Sequence, residues 1–206
     1  MSRISWGKPR IFVLDKEPVT GQTYPEANKW YELYTPVEDS TQLSVSKGDK
    51  MEARIEGGEA EDIKYKRSTY SVAFNIRKGK AKAGQVRKLP FKAIDGRVEH
   101  KFSVLLQPED PTCEGFYIEN VAVTIDDTYS SADGGMWQIQ MDAIKASTGD
   151  TVKWGVVQLN ETATPKTIKF TEGSSWDSYN SEYSTTGGIF VNNATVVVVD
   201  STAVYG

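Results

Sequence analysis

The alternation of apolar and polar residues along the chain predicts β-strands. In residues 70–77 every second side chain, from Tyr70 to Ile76, is apolar, and the intervening ones are polar or small. Residues 98–106, 116–125 and 136–146 show the same period of two. Because successive side chains of a strand point to opposite faces, each of these segments predicts a half-buried antiparallel strand.

Other short apolar runs complete an all-β pattern. We predict further strands at residues 10–14, 30–31, 51–55, 152–159, 167–171 and 195–200, and a long strand over residues 63–77. Turn sequences at Gly57-Gly58, Asp95-Gly96 and residues 130–135 separate them. One or two short helices are predicted, at residues 89–94 and 175–183. This inventory predicts an all-β fold, an antiparallel β-sandwich or barrel.

One polar segment, residues 36–50, interrupts the strand pattern. It is rich in Ser, Thr, Gly and charge, and connections of that length in a compact domain are usually functional or disordered. We hypothesise that this arm becomes ordered against a neighbouring copy of the same protein. The residues assigned to the arm as an interface are Val37, Glu38, Asp39, Ser40, Thr41, Gln42, Leu43, Ser44, Val45, Ser46, Lys47, Asp49 and Lys50.

Length and composition indicate a globular protein with a substantial core. The 206 residues allow one large β domain or two small ones. No apolar run approaches the roughly 20 residues of a membrane-spanning helix, and the first one is too short for a signal peptide. The single cysteine, Cys113, excludes an internal disulfide and a cysteine-based metal site. We therefore expect a protein of a cytoplasm, or of an assembly made there, with no membrane partner.

Charge is unevenly distributed along the chain. Residues 64–101 carry twelve Lys/Arg against two Asp/Glu, whereas residues 102–206 carry four against fourteen. Basic and acidic strands could pair side by side within one sheet. Alternatively, opposite faces of the subunit steer head-to-tail association, with Lys78, Lys80 and Lys82 as the steering residues. A third reading is a nucleic-acid footprint that also includes Arg87 and Lys88, but the run lacks the aromatic stacking partners of such a site.

Catalytic and metal-binding motifs are not found in the sequence. There is no nucleophile elbow, phosphate-binding loop or zinc-protease motif, and the acidic clusters lack the spacing of a calcium loop. The single histidine, His100, projects from an otherwise apolar strand face, which favours a satisfied residue at the edge of the core. We therefore expect no enzyme activity, no cofactor and no catalytic or metal residues.

A carbohydrate-binding or adhesin-type β module is the alternative from a different functional class. Five Trp and ten Tyr could supply a platform on which sugars stack. Trp30, Trp137 and Trp154, however, lie within predicted strands, which favours packing in the core or in an interface.

The order of these features resembles the major tail (tail tube) proteins of long-tailed bacteriophages. The features are an aromatic strand, a polar arm, IEGGEAEDIKY, STYSVAFNIR, the turn at Asp95-Gly96, VLLQPEDP, GFYIENVAVTID and a Gly-Gly hairpin. The resemblance covers residues 30–159, and residues 160–206 lie outside it. It implies a tail-tube-like β domain at residues 1–159 and a C-terminal extension at 160–206 that could complete the same domain.

The resemblance also implies a function in the virion tail. Tail tube proteins form hexameric rings that stack head to tail into a hollow tube, assembled in the host cytoplasm. Their partners are copies of themselves, the tape-measure protein and the tail-terminator protein, while DNA passes through without specific binding. On this basis the arm is expected at the contact between rings. A type VI secretion tube subunit, related in fold, is disfavoured by the long acidic C-terminal extension.

Overall fold

A computed structural model describes residues 7–22, 24–54, 56, 58, 60–79, 87–160, 166–172 and 195–199. Within these ranges the chain forms β-strands and no helix. The strands are β1 (Arg10–Asp15), β2 (Trp30–Glu32), β3 (Gln42–Ser46), β4 (Lys50–Arg54), β5 (Ala60–Tyr65), β6 (Thr69–Arg77), β7 (Ala93–Ile94), β8 (Arg97–Gln107), β9 (Glu114–Ser130), β10 (Gly134–Ala143), β11 (Val152–Asn160), β12 (Lys166–Glu172) and β13 (Thr195–Val199).

Seven of these strands close into a barrel. Hydrogen-bonded neighbours follow the order β9, β11, β12, β13, β2, β1, β8, and β8 pairs again with β9. All of these pairs are antiparallel except β13 with β2. Closure leaves the barrel strands without an open edge, which is the usual way in which an all-β domain avoids edge-to-edge aggregation.

The longest strand, β9, belongs to both the barrel and a second sheet. Its first part, up to Ile118, pairs with β11, and its second part, from Val121, pairs with β10. From β10 the ladder continues through β6 to β3, so a four-stranded sheet β9-β10-β6-β3 extends from the barrel wall. The inner face of this sheet carries Val72, Phe74 and Ile76, all buried.

Strand β1 is buried on both faces because it lies between two hydrophobic cores. Phe12 and Leu14 point into the barrel interior with Trp30 of β2, whereas Ile11 and Val13 pack beneath the four-stranded sheet. Strand β8 follows the same rule, with neighbouring residues contributing to opposite cores. A strand buried on both faces needs a continuous apolar run, which is why residues 11–14 read IFVL with no alternation.

Two paired glycines allow close contact within the barrel wall. Gly115 of β9 lies opposite Gly155 of β11. A Cβ at Gly115 would lie 1.9 Å from the carbonyl oxygen of Leu106, and one at Gly155 would lie 2.1 Å from that of Thr171. Glycine at these two positions is therefore required by the approach of neighbouring backbone.

The structure confirms the all-β prediction and corrects two of its details. The helix predicted at residues 89–94 is wrong: Ala93 pairs with Val98 in a hairpin that turns at Asp95-Gly96, where both residues have positive φ. The single strand predicted over residues 63–77 is also wrong, because β5 ends at Tyr65 and β6 begins at Thr69 in a different sheet. The helix predicted at residues 175–183 lies outside the described residues.

The predicted C-terminal extension contributes strands to the barrel. β12 pairs with β11 over six residue pairs, and β13 pairs with β12. Ile168 and Phe170 of β12 are buried in the barrel interior.

We expect Gly155→Ala to lower the free energy of unfolding by about 1–3 kcal/mol, since the new methyl group would overlap the Thr171 backbone. Chemical denaturation followed by tryptophan fluorescence measures this change. Gly135→Ala in β10 is the matched control, because its methyl group would meet the movable side chain of Lys78 at 3.2 Å. Equal losses in the two variants would contradict the close-contact explanation.

Candidate functional site

The segment predicted as one polar arm is divided by the structure into two parts. Its first part is folded onto the subunit: the Val37 N–H donates to the Asn75 carbonyl (2.7 Å), and the Asn75 N–H donates to Ser40 Oγ (3.1 Å). β3 then pairs with β6 over five residue pairs. The expectation that the whole of 36–50 is ordered only by a neighbour is therefore wrong for residues 37–46, while an interface role for these residues stays a prediction.

A signal for β3 is present in the sequence. Gln-Leu-Ser-Val-Ser at residues 42–46 alternates with period two, and Leu43 packs against the core beneath the four-stranded sheet. Five residues are too few for this alternation to stand out in a segment otherwise rich in polar residues. Val45, on the same face, remains exposed.

The part of the chain that stands away from the body is the hairpin β4–β5. These two strands form a sheet of their own, and in the described ranges they pair with no other strand. Every residue of β5 is exposed, as are all residues of β4 except Glu52. Five to six residues per strand give the hairpin a length of roughly 17–20 Å. The hairpin thus begins at Lys50, which is the last residue of the predicted arm.

Apolar side chains are exposed on both faces of the hairpin. Ile63 and Tyr65 share one face and are 43% and 69% exposed, while Met51 on the other face is 57% exposed. An isolated two-stranded hairpin is at best marginally stable in water. Exposed apolar residues on an element with no core of its own are typical of a surface that binds another molecule.

The hairpin also separates charge along its length. Lys50, Lys64 and Lys66 lie at its base beside Asp49, whereas Glu56, Glu61 and Asp62 lie towards its tip with Arg54. At the base, Lys66 Nζ lies 2.9 Å from Asp49 Oδ2.

Within the hairpin, Glu52 is held between two cations. Hydrogen bonds from Lys50 and from Arg54 lower the pKa of the Glu52 carboxyl. The carboxylate is therefore ionised at neutral pH and holds the two cationic side chains across one face of β4.

The two ends of the hairpin meet where it joins the body. The Lys66 N–H donates to the Asp49 carbonyl (2.9 Å), and a Cβ at Gly48 would lie 2.1 Å from the Lys66 carbonyl oxygen. The chain on either side of the hairpin is thus in backbone contact, and the hairpin is attached to the body as a side branch.

One of the proposed charge-steering residues is paired within the subunit. Lys78 Nζ lies 3.0 Å from Asp127 Oδ2 and 5.5 Å from the ring centre of Trp137. This contact is of the kind expected if basic and acidic strands pair within one sheet. Lys80 and Lys82 lie outside the described residues, and the steering role of the three lysines stays a prediction.

The outer face of the four-stranded sheet is polar and almost free of basic residues. Three consecutive cross-strand rows on this face are aligned by the ladders from β9 to β3. They contain Asp126, Gln138 and Asn75; Thr124, Gln140, Ala73 and Gln42; and Ala122, Asp142, Ser71 and Ser44. These three rows hold two aspartates and no Lys or Arg. The nearest basic residues are Arg77 in the next row and, beyond Thr124 and Ala122, Arg97 and Lys101 of β8.

His100 is satisfied, as predicted. Its Nδ1 lies 2.9 Å from Oδ2 of the buried Asp15, and Gln22 Nε2 donates to the same oxygen at 3.0 Å.

Among the described residues, no group of three or more His, Cys, Asp or Glu side chains is arranged to hold a metal ion. The described part of the chain also includes no helix with the length and hydropathy to cross a membrane.

The tryptophans predicted to pack within strands fall into two classes. Trp30 is buried in the barrel, as expected, whereas Trp154 is 50% exposed. Tyr65 and Tyr129 are the other strongly exposed rings among the described residues, and each lies on a different element. Within the described ranges the strongly exposed rings thus lie on three separate strands, β5, β9 and β11.

The sequence matches no protein-family model, and no curated protein matches it. Its function is therefore inferred from its own residues and geometry.

We expect deletion of residues 49–66 to leave the fold intact. The deletion joins Gly48 to Arg67, so that β3 and β6 become a hairpin with the four-residue loop Lys-Gly-Arg-Ser, a common loop length. Because the hairpin buries none of the core, the free energy of unfolding should change by less than about 1 kcal/mol.

Deletion of residues 40–49 is the contrasting variant, because it removes β3 and the Ser40 contact with Asn75. It should lower the thermal midpoint markedly. Loss of the folded state in the variant lacking residues 49–66, seen by circular dichroism, would show that the hairpin supports the body after all.

Proposed function

We propose that this protein is a structural subunit that assembles into stacked hexameric rings and forms the tube of a long-tailed phage tail. The free-standing hairpin β4–β5 carries the proposal. It has exposed apolar residues on both faces, and within the described residues it pairs with no other strand, which favours a partner that covers it. The resemblance in the order of strands and turns, from the aromatic strand to the Gly-Gly hairpin, points to a second copy of the chain as that partner.

A hairpin that docks on a different surface of the next copy makes a heterologous contact. Contacts of this type build a ring when the rotation closes and an open filament when it does not. A tube of stacked rings uses both arrangements. Burial on assembly would supply the apolar contacts that the hairpin lacks in the monomer.

The open edge of the four-stranded sheet supports association between neighbours. β3 pairs with β6 on one side, and no described strand pairs with its other side. Unpaired backbone N–H and C=O groups along an edge are a template for pairing with another chain. The proposal therefore places a neighbouring subunit along this edge.

The polar outer face of the same sheet has the chemistry of a conduit lining. Its aspartates and amides repel or ignore phosphate, whereas lysines and arginines would retain DNA through salt-dependent contacts. We assign the rows through Gln138, Gln140 and Asp142 to the lumen. In this role the DNA would pass without specific binding, and the tape-measure protein would occupy the lumen during assembly.

The proposal predicts self-assembly of the purified protein. At high concentration the intact chain should form rings or tubes in negative-stain electron microscopy, and the variant lacking residues 49–66 should remain monomeric or stop at single rings. Sedimentation velocity gives the same comparison in solution. A strictly monomeric intact chain that binds glycans on an array would contradict the proposal and favour a carbohydrate-binding module.

A second prediction concerns the lumen. Tubes of the double variant Gln138→Lys, Gln140→Lys should bind linear DNA in a salt-dependent way, because every subunit adds two positive charges to the lining. Gln158→Lys, on an exposed position of β11, is the control and should bind no more DNA than the intact chain. Equal DNA binding by the control and the double variant, in a filter assay, would rule out the assigned lumen face.

A further inference from the structure

A wide groove runs beside β3, between the polar arm and the barrel wall. It has a volume of about 1210 Å³. Its lining is formed by residues 7–9, 35–39, 41, 43, 106, 108, 109, 114–116 and 154. Small-molecule pockets usually measure about 300–1,000 Å³, so the groove has the size for a segment of polypeptide.

The floor of the groove is apolar. Leu43, Leu106 and Phe116 contribute to it, and Trp154 packs edge to face on Phe116 with ring centres 5.7 Å apart. Trp154 nevertheless keeps half of its surface exposed. A large aromatic ring held rigidly at the mouth of a groove is a typical anchor for binding.

The rim of the groove is acidic. Four carboxylates, those of Glu38, Asp39, Glu109 and Glu114, stand against one basic residue, Lys8. Glu109 accepts a hydrogen bond from the Lys8 N–H at 3.0 Å, which fixes its position at the rim. An exposed indole ring surrounded by carboxylates is suited to lysine side chains, because the ring attracts the ammonium group and contacts the aliphatic stem.

The same chain contains a segment of complementary chemistry. Residues 78–88, KGKAKAGQVRK, carry five Lys/Arg and no Asp or Glu. At one end of this segment Lys78 already stacks on a tryptophan, Trp137, and at the other end Arg87 lies 4.6 Å from the ring centre of Tyr34. The segment is thus held to the body at both ends by cation–π contacts.

We propose that the groove binds the lysine-rich segment 78–88 of a neighbouring copy. The inference rests on the proposed self-assembly and names the two surfaces that meet. Lys80 and Lys82 supply the ammonium groups, Glu38 and Glu109 pair with them, and Trp154 provides the ring between them. The segregation of charge along the chain is then explained by complementary surfaces on successive subunits.

Two charge-reversed variants test the contact. The groove variant carries Glu38→Lys and Glu109→Lys, which reverse the charge of the rim. The segment variant carries Lys80→Glu and Lys82→Glu, which reverse the charge of the segment. Each variant alone places like charges in contact and should not assemble. A matched control, Glu99→Lys with Asp150→Lys, makes the same change of charge at exposed positions outside the groove and should assemble.

Mixing the variants separates contact between copies from contact within one chain. The lysines in the groove of the groove variant complement the glutamates in the segment of the segment variant. In the other contact, the unaltered groove of the segment variant meets the unaltered segment of the groove variant. Equimolar mixtures should therefore assemble, with the two variants alternating, although neither assembles alone. Rescue only when all four substitutions are in one chain would show that the segment occupies its own groove.

Binding of a peptide tests the groove without depending on assembly. A fluorescent peptide of residues 78–88 should bind the intact protein in an anisotropy titration, and a peptide with glutamate at positions 80 and 82 should bind at least about tenfold more weakly. Affinity should fall as salt rises, and both the groove variant and Trp154→Ala should weaken binding. Circular dichroism checks that each variant is folded.

The outcomes distinguish this inference from the proposed function. If the intact chain forms tubes while the groove variant assembles as well and the peptide does not bind, the groove inference is wrong and the tube proposal stands. If the peptide binds but the intact chain does not assemble at any concentration, the tube proposal is wrong.

Discussion

The structure depends on a wall of strands that is buried from both sides. β1, β8 and the first part of β9 separate the barrel interior from the core beneath the four-stranded sheet. Fully burying one large apolar side chain contributes about 1.5–3 kcal/mol. In this wall, residues 11–15, 102–105 and 115–119 are buried whichever way they point. Polar atoms in the wall bond to backbone: Ser103 Oγ donates to the Glu119 carbonyl, and Gln107 Nε2 donates to the Val157 carbonyl. Both cores would lose one side if the wall were disrupted.

Strands that have one face in solvent were predicted from the sequence better than strands that are buried on both faces. Alternation located β6, β8, β9 and β10, because each has a polar face over much of its length. It did not reveal that β1 serves two cores, since a continuous apolar run is compatible with several kinds of burial. The sequence also does not show that β9 pairs with β11 up to Ile118 and with β10 from Val121, because that depends on which strands reach its edge.

The candidate site was located only in part from the sequence. The polar segment before Lys50 leads directly into the hairpin, but the alternation at Leu43 and Val45 is too short to be distinguished within that segment. The free hairpin was missed because β4 and β5 look like ordinary strands. Only their exposure on both faces distinguishes them. The groove has no signal in local sequence at all, since its carboxylates come from segments that are far apart in the chain.

The division between a rigid body and an attached hairpin has a consequence for how this protein can evolve. Substitutions in the two-sided wall are constrained by packing on both sides, whereas residues of the hairpin are constrained only by whatever they touch outside their own subunit. Recognition can therefore diverge while the scaffold stays constant, since a few changes in the hairpin would alter what it contacts without disturbing either core.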